Sequence, residues 1–162
     1  VPTGADPDRE FSEKLKNGQE KMDRDMAPYI ELAKADAFAA IAHVRANAKK
    51  YNVKTDQIGI IGFSAGGTLA AAAGLEYTSD QNRPDFIAPI YGALHLLDLT
   101  KIPSKPMPLF LAVTSDDVFG FQNQTITIYQ TWNAAKAPVE MHIYEKGNHG
   151  FGMRKQSLPS DQ

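Results

Sequence analysis

The chain has 162 residues, of which 17 are basic and 19 acidic, for a formal net charge of −2. That length fits one compact domain, since a domain near this size buries about 70% of the surface its unfolded chain exposes. The mixed charges exclude the basic stripe of a nucleic-acid binder, no apolar run approaches the roughly 18 residues of a membrane span, and the absence of cysteine excludes disulfides, thiolate nucleophiles and cysteine metal sites.

Residues 1–26 are polar and charged with little apolar periodicity, and read as an irregular arm or a loop with a short helix. From about Ala27 to Lys50 an alanine-rich stretch repeats Ile30, Ala33, Ala37, Ile41, Val44 and Ala48 at helical spacing. The run IGIIGF, residues 58–63, is too uniformly apolar to be half exposed and reads as a buried strand. AGGTLAAAAG, residues 65–74, predicts a helix closed by Gly74. PDFIAPIYG, residues 84–92, predicts a second strand whose length is limited by Pro89, which cannot donate to a ladder. MPLFLAVTS at 107–115 predicts a third strand, and QNQTITIYQTWNAAKA at 122–137 a helix stopped before Pro138. VEMHIYEKG at 139–147 predicts a fourth strand, followed by a glycine-rich loop around His149. Strand and helix alternate, so the expected fold is α/β. It is a single domain over residues 1–162 with a parallel sheet of about four strands and helices on both faces.

Gly62-Phe63-Ser64-Ala65-Gly66 fits G-x-S-x-G, with a strand before and a helix after. A sharp strand-to-helix turn there lifts the serine hydroxyl above the sheet, and the flanking glycines leave room for the strained backbone and the helix. The Ala65 N–H, at the start of that helix, is the expected oxyanion-hole donor. The same five residues also suit a phosphate-binding or merely tight connection, so the serine needs partners to be read as a nucleophile.

A serine hydroxyl reacts when a base takes its proton, usually an imidazole. His43 falls on the polar side of the first helix and is expected at the surface; His142 lies inside a strand and is expected to pack; His95 is expected to be a loop contact. His149 sits in EKGNHGFG, past the last strand. Loops at the carboxyl ends of parallel strands converge on one crevice, the edge that also carries Ser64. TSDDVFG places two acids just after the third strand. Asp117, one step deeper into the loop, is the expected orienting acid; Asp116 is the alternative, otherwise solvated or capping the turn, and Asp98 is the fallback. The order Ser, Asp, His is the α/β-hydrolase order. GIIGFSAGG lacks G-x-G-x-x-G spacing and no two histidines lie at ligand spacing on one helix, so neither a dinucleotide nor a metal is expected.

With these residues in place, DQIGIIGFSAGGTLA, PLFLAVTSDD and VEMHIYEKGNHGFGMR, with the preceding ADAFAAIAHVR, resemble the acetyl-esterase and acetylxylan-esterase-like branch of the α/β-hydrolases. The resemblance covers most of residues 35–155. It implies Ser64 as nucleophile, Asp117 as acid, His149 as base and Ala65 as one oxyanion donor. It further implies hydrolysis of short acyl esters, often acetyl groups on plant polysaccharides or related sugars, without cofactor or metal. Many such relatives are exported, which points to a secreted or periplasmic protein.

The departures from that pattern carry expectations too. Relatives have several strands before the elbow and a glycine-rich loop that donates the second oxyanion N–H, whereas only Gly4 and Gly18 precede Gly59 here. The sequence starts at Val1, and VPTGADPD and LPSDQ resemble points inside the family's fold, so the chain is expected to be cut at both ends. The strand IGIIGF then becomes an exposed edge, which favours pairing with a second copy in a homodimer. A missing oxyanion donor costs about 10²- to 10³-fold in turnover. Two alternatives to an esterase stay open: a peptidase built on the same triad, and a catalytically silent α/β module that self-associates. Tyr91, Phe119, Phe121 and Phe151 are candidates either for an acyl or sugar pocket or for ordinary packing.

Overall fold

A computed structural model of the chain describes residues 18–152 and Ser157. In chain order its elements are α1 (Gln19–Ala46), α2 (Ala48–Tyr51), β1 (Ile60–Phe63), α3 (Ala65–Leu75), β2 (Ile87–Ile90), a 3₁₀ turn (Leu94–Leu96), β3 (Leu109–Thr114), α4 (Gln122–Ala134) and β4 (Val139–Tyr144). The strands form one parallel sheet in the order β1-β2-β3-β4.

Strand order that follows chain order decides where the helices go. Parallel crossovers are right-handed, so successive steps in one direction across a sheet send every connecting helix to the same face. Ala71 of α3 and Ile128 and Trp132 of α4 accordingly meet Ile87, Leu109 and Leu111 in one core. Trp132 is fully buried and its indole N–H donates to the Met107 carbonyl at 2.9 Å. Helices on both faces, as alternation alone suggests, are therefore not found among the described residues. The opposite face carries Ile61, which is 62% exposed, with Phe63 and Phe110 also exposed. The four parallel strands themselves are as expected.

Ala70–Ala73 lie against the sheet on one side and α1 on the other, and all four are buried. Ile41 of α1 packs on Ala73 and Ile58, flanked by Phe38 and Val44. Short side chains let α3 approach both the sheet and α1 this closely. Gly74 does not close α3, which runs on to Leu75; a Cβ there would lie 2.4 Å from Ile87 Cδ1, so the position serves helix-to-strand contact. α1 starts at Gln19 rather than near Ala27, so residues 19–26 are helical and not irregular. Gln, Glu, Lys, Met and Arg there propagate a helix without supplying an apolar stripe, which is why periodicity misses them. The remainder of the expected arm, residues 1–17, lies outside the described residues.

β2 is an interior strand despite Pro89. Ile87 N–H donates to Pro108 O at 3.0 Å and Tyr91 N–H to Ala112 O at 2.8 Å. Between them Pro89 has no N–H to give, and the ladder skips a bond. Among the described residues no helix is long and apolar enough to cross a membrane.

Candidate active site

Ser64 is the hinge between β1 and α3, with φ 53° and ψ −120°. A side chain at positive φ is strained, and such strain persists only where the surroundings over-determine it. Those surroundings are visible. Ser64 N–H donates to Ile90 O at 3.0 Å, and Ser64 O accepts Thr68 N–H at 3.1 Å, the first bond of α3. A Cβ on Gly62 would lie 2.0 Å from Gly66 O, and one on Gly67 would lie 2.7 Å from Ile90 O. Gly66, the second glycine of the five-residue motif, meets nothing within 4 Å. After the serine, the crowded position is thus Gly67, one residue past the motif, where α3 passes over the end of β2. Ala65 is the first residue of α3, where a backbone N–H has no intrahelical acceptor and sits at the positive end of the helix dipole.

His149 reaches Ser64 from the loop after β4: its Nε2 lies 2.8 Å from Ser64 Oγ. On the other side of the ring, Nδ1 lies 3.0 Å from Asp117 Oδ2. Asp117 is buried, and its second oxygen accepts Phe119 N–H at 2.9 Å. The three residues come from the carboxyl ends of β1, β3 and β4, so the parallel sheet brings them to one edge. The arrangement fits a nucleophile–base–acid triad.

A model of the dienelactone hydrolase family matches residues 8–162. The chain belongs to this family. Among solved structures it is similar to the acetyl ester-xyloside bifunctional hydrolase of Caldicellulosiruptor lactoaceticus, with 28% identity, a TM-score of 0.66, and coverage of 74% of this chain and 57% of that one. It is also similar to an α/β-hydrolase enzyme from a Medee basin deep-sea metagenome library, with 25% identity, a TM-score of 0.67, and 80% of this chain against 55% of that one. A sugar hydrolase from Lactococcus lactis shares the fold at 21% identity and a TM-score of 0.69, over 82% of this chain and 61% of that one. The chain thus spans a little over half the length of the solved structures it matches. A search of curated protein sequences finds no match.

Around Ser64, His149 and Asp117 of this dienelactone hydrolase-family chain, aromatic rings hold the imidazole edge-on. Phe119, Tyr91 and Phe121 stand 4.7, 5.0 and 5.5 Å from the His149 ring. Phe151 packs behind Tyr91 at 4.8 Å rather than against the histidine. Burial pushes the Tyr91 hydroxyl above its ordinary pKa, against a Gly152 N–H that it accepts. Tyr91 itself has φ 37°, a second strained residue at the site and one that the apolar pattern of PDFIAPIYG does not reveal.

The other sequence candidates stand elsewhere. Asp116 is exposed; its Oδ1 accepts Asn148 N–H at 2.7 Å, and that bond holds its carboxyl below the ordinary carboxylate range. Asp98 accepts from Thr100 and pairs with Lys101, which draws its carboxyl down to about 2. His43 bonds Tyr51 on the surface of α1, as expected. His95 contacts Asp23 of α1 at 3.0 Å. His142, exposed on the uncovered sheet face, packs against its neighbours as expected, with Glu140 at 2.7 Å and the Phe110 ring at 5.4 Å. Residues missed in the sequence are Thr68 and Asn148. The Thr68 hydroxyl accepts Ala93 N–H at 3.0 Å and ties the loop after β2 to α3. Among the described residues no group of three or more His, Asp or Glu is placed to hold a metal ion.

Proposed function

We propose that the chain hydrolyses short acyl esters through an acyl-enzyme on Ser64. The observation that carries this reading is the continuous path from Ser64 Oγ through the His149 ring to buried Asp117, at 2.8 and 3.0 Å. Ser64 Oγ attacks the ester carbonyl carbon as its proton passes to His149 Nε2, while Asp117 holds Nδ1–H and stabilises the imidazolium. The tetrahedral oxyanion is stabilised by the Ala65 N–H at the head of α3. Collapse expels the alcohol, which takes the proton from His149. Water, deprotonated by the same imidazole, then attacks the acyl-enzyme and frees the acid and Ser64. Likeness to a hydrolase described as acting on acetyl esters and xylosides favours acetyl esters, including acetylated sugars or xylan, as the substrate class.

Burst kinetics with p-nitrophenyl acetate test the reading: a burst in the native chain, absent from Ser64→Ala, supports it, and equal release from both overturns it. Cleavage of a peptide p-nitroanilide at a comparable rate would instead favour a peptidase.

One observation favours a second reading, a module that associates with its own copies. Among the described residues β1 is paired on one side only, and Ile61 and Phe63 are exposed beside that open edge. Parallel strands are ordinarily buried, and an apolar edge recruits another chain. Sedimentation as a dimer without ester turnover would support this reading over hydrolysis.

A further inference from the structure

The base stands on a loop with little internal reason to hold its shape. Gly147, Asn148, Gly150 and Gly152 all have positive φ, so no helix or strand fixes His149 from its own side. The fixing groups come from the segment that carries the acid. Asp116 Oδ1 accepts Asn148 N–H at 2.7 Å. Thr114 Oγ1 donates to Asn148 O at 3.0 Å. The Asn148 side-chain oxygen accepts His149 N–H at 2.7 Å and Val118 N–H at 3.3 Å. The residue before the base is thereby tied through its N–H, its carbonyl and its side chain, and three of these ties end on residues 114–118. Asp117 reaches His149 Nδ1 from the same segment.

We infer that Asp116 is a positioning residue for the proposed hydrolysis, acting through Asn148 to hold the His149 ring between Ser64 and Asp117. This rests on the triad reading above. It gives the two adjacent aspartates separate tasks: Asp117 is buried and meets the ring, whereas Asp116 is exposed and meets the backbone that carries the ring. Its depressed carboxyl pKa, caused first by the Asn148 N–H and further by the Thr114 hydroxyl and the Gly147 N–H, is that of an anion held by donors around it.

The test compares Asp116→Ala, Asp116→Asn and Asp117→Asn, with thermal melting as a control for folding. Asparagine keeps an oxygen acceptor where alanine has none. Misplacing a catalytic group by about 1 Å costs on the order of 10²-fold. Asp116→Ala is therefore expected to lower kcat for p-nitrophenyl acetate ~10- to 100-fold with KM unchanged, and Asp116→Asn to recover most of that loss. Amide hydrogen exchange supplies a readout independent of turnover: Asn148 and His149 amides lose protection in Asp116→Ala and regain it in Asp116→Asn. Native kcat in Asp116→Ala, or a loss in Asp116→Asn as deep as that in Asp117→Asn, overturns the assignment. If the native chain shows no turnover, the hydrolase reading fails by itself. Unchanged exchange at Asn148 and His149 in Asp116→Ala then overturns the clamp as well.

Discussion

Adding one methyl group at Gly66 or at Gly67 separates the elbow seen here from the elbow the motif describes. The motif names Gly66; the packing singles out Gly67. A Cβ at Gly67 would lie 2.7 Å from Ile90 O and 3.0 Å from Gly92 Cα, both backbone atoms that no rotamer change can move. Ordinary contact begins near 3.4 Å, so α3 must withdraw from the end of β2 by roughly 0.7 Å. Overpacking of that kind costs about 1–3 kcal/mol, and each kcal/mol lowers Tm by about 2–4 °C in a chain of this size. Ser64 is fused to the displaced turn, and a shift approaching 1 Å at a reacting group costs on the order of 10²-fold in rate. Gly67→Ala is therefore expected to lose stability and most of its kcat together. Gly66→Ala adds its methyl to open space within α3, where replacing glycine by alanine stabilises by about 0.4–1 kcal/mol. It is expected to keep its kcat and gain a few degrees in Tm, although it breaks G-x-S-x-G. Circular-dichroism melts and initial rates with p-nitrophenyl acetate decide the matter. An inactive Gly66→Ala beside a native-like Gly67→Ala would refute the packing argument.

Asp117→Asn is expected to keep the fold but lose on the order of 10⁴-fold in kcat, the scale of losing the orienting carboxylate of a triad; a loss below tenfold would remove Asp117 from that role. Trp132→Ala empties a fully buried site and strands the Met107 carbonyl, so urea unfolding should show a loss of about 3–5 kcal/mol without a change in substrate preference. Burial keeps Tyr91 neutral, with a folded pKa above its ordinary value of 10.0. The stability it contributes is therefore complete below about pH 10 and declines as pH rises from there through the folded value, and Tyr91→Phe should flatten that alkaline decline in melts taken between pH 8 and 11. On the self-association reading the chain sediments as a dimer and Ile61→Lys, at the open edge of β1, returns it to monomer; a monomeric native chain would contradict that reading.

The chemistry was more legible than the architecture. A serine between a buried strand and a small-residue helix, an acid past a later strand and a histidine past the last one can be read directly, because strand ends of a parallel sheet share an edge. The structure brings Ser64, His149 and Asp117 together there, and it separates Asp117 from Asp116 by burial, a distinction that two adjacent aspartates do not display in sequence. The side on which the helices pack depends on strand order, which no local pattern contains. The start of α1 escaped because residues 19–26 propagate a helix without an apolar face. Gly67 and Asn148 carry no local signal, and Gly74 reads only as a helix end, because their contacts lie far along the chain: Ile90 for Gly67, the 114–118 segment for Asn148 and Ile87 for Gly74.

The proposed hydrolysis requires Ser64 to form an acyl-enzyme. Intact-protein mass spectrometry after rapid mixing with p-nitrophenyl acetate and acid quench tests it directly. One added acetyl group is expected, mapped to the peptide containing Ser64 and missing from Ser64→Ala. An unmodified native chain that nonetheless releases p-nitrophenol, or an acetyl group mapped to another residue, would contradict it.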